Sequence, residues 1–131
     1  MIPNRDLTSN PFTREEIESA RDVVQKSIKP TPQISWPLLS ERIGCEVFVK
    51  HENHLPTGAF KVRGGVFLLN YLSTLSGLNG LVLATRGNHG QSIAYAGRSA
   101  GMSVNIVVPK DNNKDKNRAM RALGANLIVR G

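Results

Sequence analysis

The residue best placed for chemistry is Lys61, in the segment PTGAFKVRGG at residues 56–65. A strand-like run at residues 45–50 precedes this segment, and a leucine-rich helical pattern at residues 62–75 follows it. In a partly dry cleft, a lysine amine loses its proton readily and attacks a carbonyl to form a Schiff base. Most lysines at a helix start are solvated surface residues, so this chemistry needs support from elsewhere in the chain.

A second candidate site is the polar turn TRGNHGQ at residues 85–91, between a short apolar run and a predicted helix. Unpaired N–H groups and the positive end of the helix dipole attract an anion at such a position. The glycines do not have the G-x-G-x-x-G spacing of a dinucleotide site. The turn therefore predicts a site for a small anion. The alternative is that Gly87 and Gly90 only form a tight turn in which Asn88 tolerates unusual backbone angles.

Composition predicts a globular protein. The 131 residues are 40% hydrophobic and 21% charged, too apolar for disorder and enough for a sizeable core. No apolar run approaches the length of a membrane span, and the first ten residues lack the apolar region of a signal peptide. We therefore predict a cytoplasmic protein without membrane contact. Cys45, the only cysteine, excludes an internal disulfide and is interpreted as a buried residue at the start of a strand.

The net charge of +7 raises nucleic acid as a partner, because a basic surface attracts phosphate. The basic residues are dispersed, however, and only those at residues 110–121 resemble a patch. Aromatic residues for base stacking make up 5% of the chain. We predict no nucleic-acid partner and interpret residues 110–121 as a solvated helix face. A non-catalytic basic binding module is the distant alternative.

Two further groups of residues have the types found in sites. His51, Glu52 and His54 lie close in sequence, but H-x-x-H in a loop without a third nearby ligand favours a structural or solvent-facing role. We therefore predict no metal. Arg63 has two interpretations: it pairs with a carboxylate that fixes its helix, or it shapes the site around Lys61.

The elements that must position these residues alternate between helix and strand. Thr13 and Glu16 form a capping box for a first helix that ends before Pro30. Gly44 is the expected left-handed cap of a short helix at residues 38–43. Later strands are predicted at residues 81–84, 104–108 and 126–129, and later helices at residues 91–100 and 113–123. This alternation predicts an α/β fold with a parallel sheet of βαβ units, in which the apolar residues 81–84 are covered on both faces.

The segment around Lys61, followed by GNHGQ at residues 87–91, resembles the N-terminal part of the fold-type-II pyridoxal-phosphate enzymes. Within them it is most similar to the threonine dehydratase and serine racemase group. The resemblance runs from Thr31 to near Val129 and implies a fold like that of the tryptophan synthase β subunit. Residues 1–80 would form the N-terminal part of the large cofactor domain, and residues 81–131 an incomplete small α/β domain.

The resemblance also implies roles for individual residues. Lys61 carries pyridoxal phosphate as a Schiff base, Phe60 packs near the cofactor, and Asn88 donates to its phenolic oxygen. The substrate carboxylate is expected at the turn, in agreement with the anion site predicted from the residues alone. The turn residues concerned are Thr85, Arg86, Gly87, Asn88 and His89.

The reaction implied is that of an ammonia-lyase. The freed Lys61 amine takes the α-proton, the β-hydroxyl leaves, and a β-hydroxy amino acid such as threonine or serine becomes a 2-oxo acid and ammonia. Homodimers are common in the family and are expected for the full-length enzyme. The family's phosphate loop and pyridine-nitrogen partner lie further along the chain, so we expect this sequence to be a truncated, N-terminal fragment that is inactive alone.

Two residues depart from the family pattern. Ala59 replaces the usual serine before Phe-Lys, and we expect Thr57 to cap the helix instead. Arg86 replaces the serine that serves racemases as acid and base. Arginine stays protonated in proteins and is therefore a poor proton shuttle, so elimination is favoured over racemisation. Arg86 could pair with the acidic group of a substrate such as hydroxyaspartate. A racemase, dehydratase or β-replacement enzyme of the same fold is the nearer alternative.

Overall fold

A computed structural model describes residues 11–131 and confirms the predicted α/β class. Its helices are α1 (Arg14–Gln25), α2 (Pro37–Ile43), α3 (Lys61–Leu72), α4 (Asn88–Ser99) and α5 (Lys114–Ala122). Its strands are β1 (Gln33–Ser35), β2 (Phe48–Lys50), β3 (Gly80–Ala84), β4 (Ser103–Val108) and β5 (Asn126–Val129). A short 3-10 helix spans Glu52–His54. No helix in this part of the chain is long and apolar enough to cross a membrane.

Strands β3, β4 and β5 form the predicted parallel sheet, with β4 in the centre. Side chains alternate along β4, so that Val104, Ile106 and Val108 are buried while the residues between them are not. These three side chains share one apolar core with Ile93 of α4 and Met120 of α5. Both crossover helices therefore lie on the same face of the sheet.

The prediction that residues 81–84 are covered on both faces is wrong. Leu81 and Leu83 pack against the core, but Val82 is 73% exposed. The reason is that α4 and α5 cover a single face, and alternate residues of a strand point to opposite faces. An uninterrupted apolar run does not by itself reveal that only one face is covered.

The N-terminal part of the chain forms a second, smaller sheet. Strands β1 and β2 pair antiparallel, with Ser35 opposite Phe48 at one end. Because β1 is only three residues long, the pairing stops there and β2 begins at Phe48 rather than at residue 45. The prediction that Cys45 is buried at the start of a strand is therefore wrong, and Cys45 is exposed.

Helix α1 begins with the predicted capping box, in which the Thr13 hydroxyl accepts from the Glu16 N–H and the Glu16 carboxylate accepts from the Thr13 N–H. The helix ends at Gln25, before Pro30 as predicted, and the N–H groups of residues 27 and 28 both donate to the Val24 carbonyl. Val24 packs in a small core with Ile28, Leu55 and Val62. Helix α2 ends, as predicted, at Gly44, whose φ is 81°.

Candidate functional site

Lys61 is the first residue of α3, one position earlier than the predicted helix start, and it is exposed. Its Nζ lies 5.8 Å from the ring centre of Phe60. Among the described residues, no hydrogen bond or ion pair engages Nζ. The amine is therefore accessible to a carbonyl compound.

The expected cap of α3 is wrong. The Thr57 hydroxyl donates to the Ala59 carbonyl at 3.3 Å, and Phe60 is the N-cap residue, with no side-chain cap. The Thr57 hydroxyl is used within the turn that precedes the helix. The start of α3 is instead fixed by contacts from other elements.

Helix α4 begins at Asn88, so the predicted turn at residues 85–91 already contains a first helical turn. Asn88 and His89 are both exposed. The N-cap residue, Gly87, has no side chain with which to cap the helix, and its own N–H donates to Thr85 Oγ1 at 3.2 Å. The helix start thus has no side-chain cap, and the two residues beside it that are exposed, Asn88 and His89, are polar. Uncapped N–H groups at a helix start are what an anion site requires.

Gly87 and Gly90 allow α4 to approach α5 closely. Neither has a positive φ, so their backbone angles do not require glycine. A Cβ at Gly90 would lie 2.5 Å from Met120 Sδ, and one at Gly87 would lie 2.9 Å from Lys116 Nζ. Lys116 is a neighbour of the site that the sequence did not single out, because nothing distinguishes it from the other lysines at residues 110–121.

Helices α3 and α4 pack together with their first residues at the same end. The Ser92 hydroxyl in α4 donates to the Lys61 carbonyl at 2.7 Å. Further along, Leu69 of α3 and Ala96 of α4 line one groove and share the core. The contacts follow the same order along both helices, so Lys61 and Asn88 lie at the same end of the pair.

Arg86 lies beside this end and pairs with Asp111. Its Nη2 is 3.3 Å from Asp111 Oδ1 and its Nη1 is 3.4 Å from Oδ2. Both side chains are about two-thirds exposed or more, and such surface pairs contribute about 0–1 kcal/mol. A ligand with a carboxylate can therefore compete for Arg86.

Arg63 pairs with a carboxylate, as the first of its two interpretations predicts. Its Nε and Nη2 donate to the two oxygens of Glu52 at 2.8 and 2.9 Å, and the Thr31 hydroxyl also donates to Glu52. The hydrogen bonds from Arg63, more than that from Thr31, lower the pKa of Glu52 from 4.5 to about 2 against the opposing effect of burial. This network fixes the first turn of α3 to the 3-10 helix before it.

The histidines beside Glu52 have other contacts. His51 Nε2 accepts from the Trp36 indole N–H at 3.3 Å, and the His51 ring lies 5.7 Å from that of His54. Within residues 11–131, no three histidine, cysteine, aspartate or glutamate side chains come together as a metal site.

The arrangement places the exposed Lys61 amine and the uncapped start of α4 at one end of two packed helices. Such a pair suits a carbonyl compound that also carries an anionic group.

Known proteins are similar to this chain in sequence and in fold. The family described as pyridoxal-phosphate dependent enzyme matches residues 24–131. The chain is 35% identical over 108 residues to the mitochondrial threonine dehydratase of Schizosaccharomyces pombe, covering 82% of this chain and 18% of that protein. It is 34% identical over 120 residues to the L-threonine ammonia-lyase of Thermotoga maritima, covering 92% of this chain and 30% of that protein. The chain thus spans less than a third of these two relatives.

A solved structure is similar to this chain in fold. The crystal structure of a pyridoxal 5'-phosphate-dependent aspartate racemase superposes with a TM-score of 0.85 at 33% identity, covering 92% of this chain and 39% of that one.

Proposed function

Because this chain belongs to the pyridoxal-phosphate-dependent enzyme family, with the fold-type-II architecture, we propose that it is part of an ammonia-lyase whose cofactor is attached to Lys61. The observation that carries the proposal is the free Lys61 amine at the start of α3, at the same end of the helix pair as Asn88. Both residues begin helices, and the hydrogen bond from Ser92 to the Lys61 backbone holds those helices together.

The residues present fit pyridoxal phosphate. Lys61 supplies the primary amine that attaches the aldehyde of the cofactor, Phe60 lies beside that amine, and Asn88 supplies an exposed amide for its phenolic oxygen. When bound, the cofactor supplies a conjugated ring that accepts electrons from the α-carbon of the substrate.

The chain's own residues do the remaining work at this end of the site. The uncapped N–H groups of α4 and the side chains around them bind the substrate carboxylate, with Thr85, Arg86, Gly87, Asn88 and His89 as the binding segment. The Lys61 amine, once released from the cofactor, takes the α-proton of the substrate as a general base.

We propose a β-hydroxy amino acid such as threonine or serine as the substrate, with a 2-oxo acid and ammonia as the products. The two curated relatives support this class, since one is named a threonine dehydratase and the other a threonine ammonia-lyase. The second candidate is a racemase or dehydratase that acts on aspartate or 3-hydroxyaspartate. The similarity to an aspartate racemase and the position of Arg86 beside the turn favour this second candidate.

Attachment of the cofactor to Lys61 can be tested directly in this chain. The protein is incubated with less than one equivalent of pyridoxal phosphate and reduced with borohydride, and the modified lysine is located by peptide mapping. We expect most of the label on Lys61 and its loss in Lys61→Arg. Lys114→Arg is the matched control, because Lys114 is also an exposed first residue of a helix. Label spread evenly over Lys61 and Lys114 would contradict the proposal.

A further inference from the structure

We propose that the contact between Gly65 and Ser92 sets the position of Lys61 relative to Asn88, which makes Gly65 and Ser92 positioning residues for the cofactor site. The inference rests on the proposed attachment of the cofactor to Lys61 and adds to it the means by which this chain brings the two groups together.

Ser92 links the two helices through a hydrogen bond that reaches the backbone of Lys61. Its side chain is fully buried in the middle of α4. A buried hydroxyl without a partner costs free energy, and serine is a weak helix former, so a position like this favours alanine unless the hydroxyl is used. Here Oγ donates to the Lys61 carbonyl at 2.7 Å. The hydroxyl thereby connects α4 to the first residue of α3.

Gly65 makes this connection possible. Gly65 is buried and its φ is not positive, so its backbone angles are open to any residue. A Cβ at position 65 would overlap Ser92 Oγ and would lie 2.8 Å from the Ser92 backbone oxygen. A backbone oxygen within a helix cannot move aside as the end of a flexible side chain can. Any side chain at position 65 would therefore push α3 away from α4.

The spacing along each helix explains how this contact sets the positions of Lys61 and Asn88. Gly65 follows Lys61 by one helical turn, and Ser92 follows Asn88 by one helical turn. Residues at i and i+4 lie on the same face of a helix. The closest approach of the helices therefore lies one turn below both functional residues, and it sets how far apart their side chains begin.

A small displacement here has a large expected effect. A group misplaced by about 1 Å can lower the rate of a reaction about 100-fold, and a lost hydrogen bond lowers affinity up to about tenfold. Gly65→Ala should leave the Lys61 amine reactive but place the attached cofactor beyond the reach of Asn88. The expected result is that Asn88 no longer contributes to binding of the cofactor at Lys61, which a loss of stability alone would not produce.

The test measures the equilibrium dissociation constant of pyridoxal phosphate at Lys61 by visible absorbance, with attachment at Lys61 verified by peptide mapping. Gly65→Ala should raise this constant about tenfold, and Asn88→Ala should raise it similarly in the parent. In the Gly65→Ala background, Asn88→Ala should raise the dissociation constant little further.

Gly64→Ala is the matched control, since it makes the same change in the same helix where a Cβ meets nothing within 4 Å. It should leave the dissociation constant unchanged. Ser92→Ala removes the hydroxyl without adding bulk, and should weaken binding severalfold even if Gly65→Ala does not fold. Three results would overturn the inference. The first is an equal dissociation constant in Gly64→Ala and Gly65→Ala, and the second is an unchanged dissociation constant in Ser92→Ala. The third is an effect of Asn88→Ala that is as large in the Gly65→Ala background as in the parent. Absence of specific attachment at Lys61 in the parent would instead refute the proposed function, and the inference with it.

Discussion

Arg86 is the residue that distinguishes the two proposed substrate classes. Threonine and serine have no side-chain carboxylate with which Arg86 could pair. Aspartate and 3-hydroxyaspartate each have one. Within residues 11–131, the one partner of the Arg86 guanidinium is Asp111, in an exposed pair at 3.3 and 3.4 Å. The guanidinium can therefore exchange this partner for a ligand carboxylate at little cost.

If the second candidate function holds, we predict that Arg86→Ala lowers the affinity for 3-hydroxyaspartate relative to that for threonine by about tenfold, as expected for loss of one charged hydrogen-bonded pair. The measurement is a titration with each amino acid, followed through the NMR signals of the backbone N–H groups of residues 85–89. Arg118→Ala is the control, because Arg118 forms a similarly exposed pair with Asp115 on α5. Equal preference in the parent and in Arg86→Ala would leave threonine or serine as the favoured substrate class.

Residue types alone predicted part of the site. The position of Lys61 between turn and helix and the glycine-bearing turn before α4 both followed from the local sequence. The contact of Lys116 with Gly87 and that of Ser92 with Lys61 could not be predicted, because each joins residues that are far apart in the chain. Ser92 in particular resembles any other small residue of its helix until α3 is placed beside it.

At the scale of elements, the start of α3 is fixed by neighbouring segments and not by a cap of its own. Ser92 holds the Lys61 carbonyl from one side, and the Arg63–Glu52 pair holds the first turn from another. Glu52 belongs to the 3-10 helix, and its oxygens also accept from the Thr31 hydroxyl. Helix α3 is thus anchored at its first turn, as the proposed role of Lys61 requires, because a reacting group must be held in a defined position.

The Glu52 interaction predicts a dependence of stability on acid. The pKa of Glu52 is lowered from 4.5 to about 2 in the folded protein, so its contribution is fully present above the unfolded value. That contribution is lost as the pH falls from about 4.5 to about 2. We predict that Glu52→Gln lowers the free energy of unfolding by about 2 kcal/mol at pH 7 and that this difference shrinks through that window.

Urea unfolding at a series of pH values measures the Glu52 effect. Glu18→Gln is the matched control, because Glu18 pairs with Arg14 on the exposed face of α1. Its stability should differ little from that of the parent at every pH. A difference between Glu52→Gln and the parent that stays constant from pH 7 to pH 2 would show that the carboxylate charge is not the source of the stability.

The ends of helices and strands follow from the local sequence only where a local motif sets them. The capping box of α1 and the Gly44 cap of α2 are local motifs, and both were confirmed. The start of β2 and the cap of α3 were wrong, because pairing with β1 and the turn at Thr57 decide them. Helix α4 begins earlier than predicted. The sequence analysis interpreted Gly90 as a turn residue, whereas it lies within the helix and packs against the buried Met120 of α5.

At the scale of the whole molecule, the apolar core lies on one side of the parallel sheet. The strand and helix alternation predicted the sheet, its parallel direction and the βαβ connections. It could not predict which face is covered, because β3 is apolar on both faces and the choice depends on where α4 and α5 cross. The two faces therefore differ in their contribution to stability despite their similar sequences.

Two valines on neighbouring strands test this difference with the same substitution. Val104 of β4 is 4% exposed and belongs to the core, while Val82 of β3 is 73% exposed on the open face. We predict that Val104→Ala lowers the free energy of unfolding by about 2 kcal/mol through lost burial and a cavity, and that Val82→Ala changes it by less than about 0.5 kcal/mol. Urea unfolding measures both. A cost for Val82→Ala that equals that of Val104→Ala and grows with protein concentration would mean that the open face is covered by a second copy in solution, since an exposed side chain has no burial to lose.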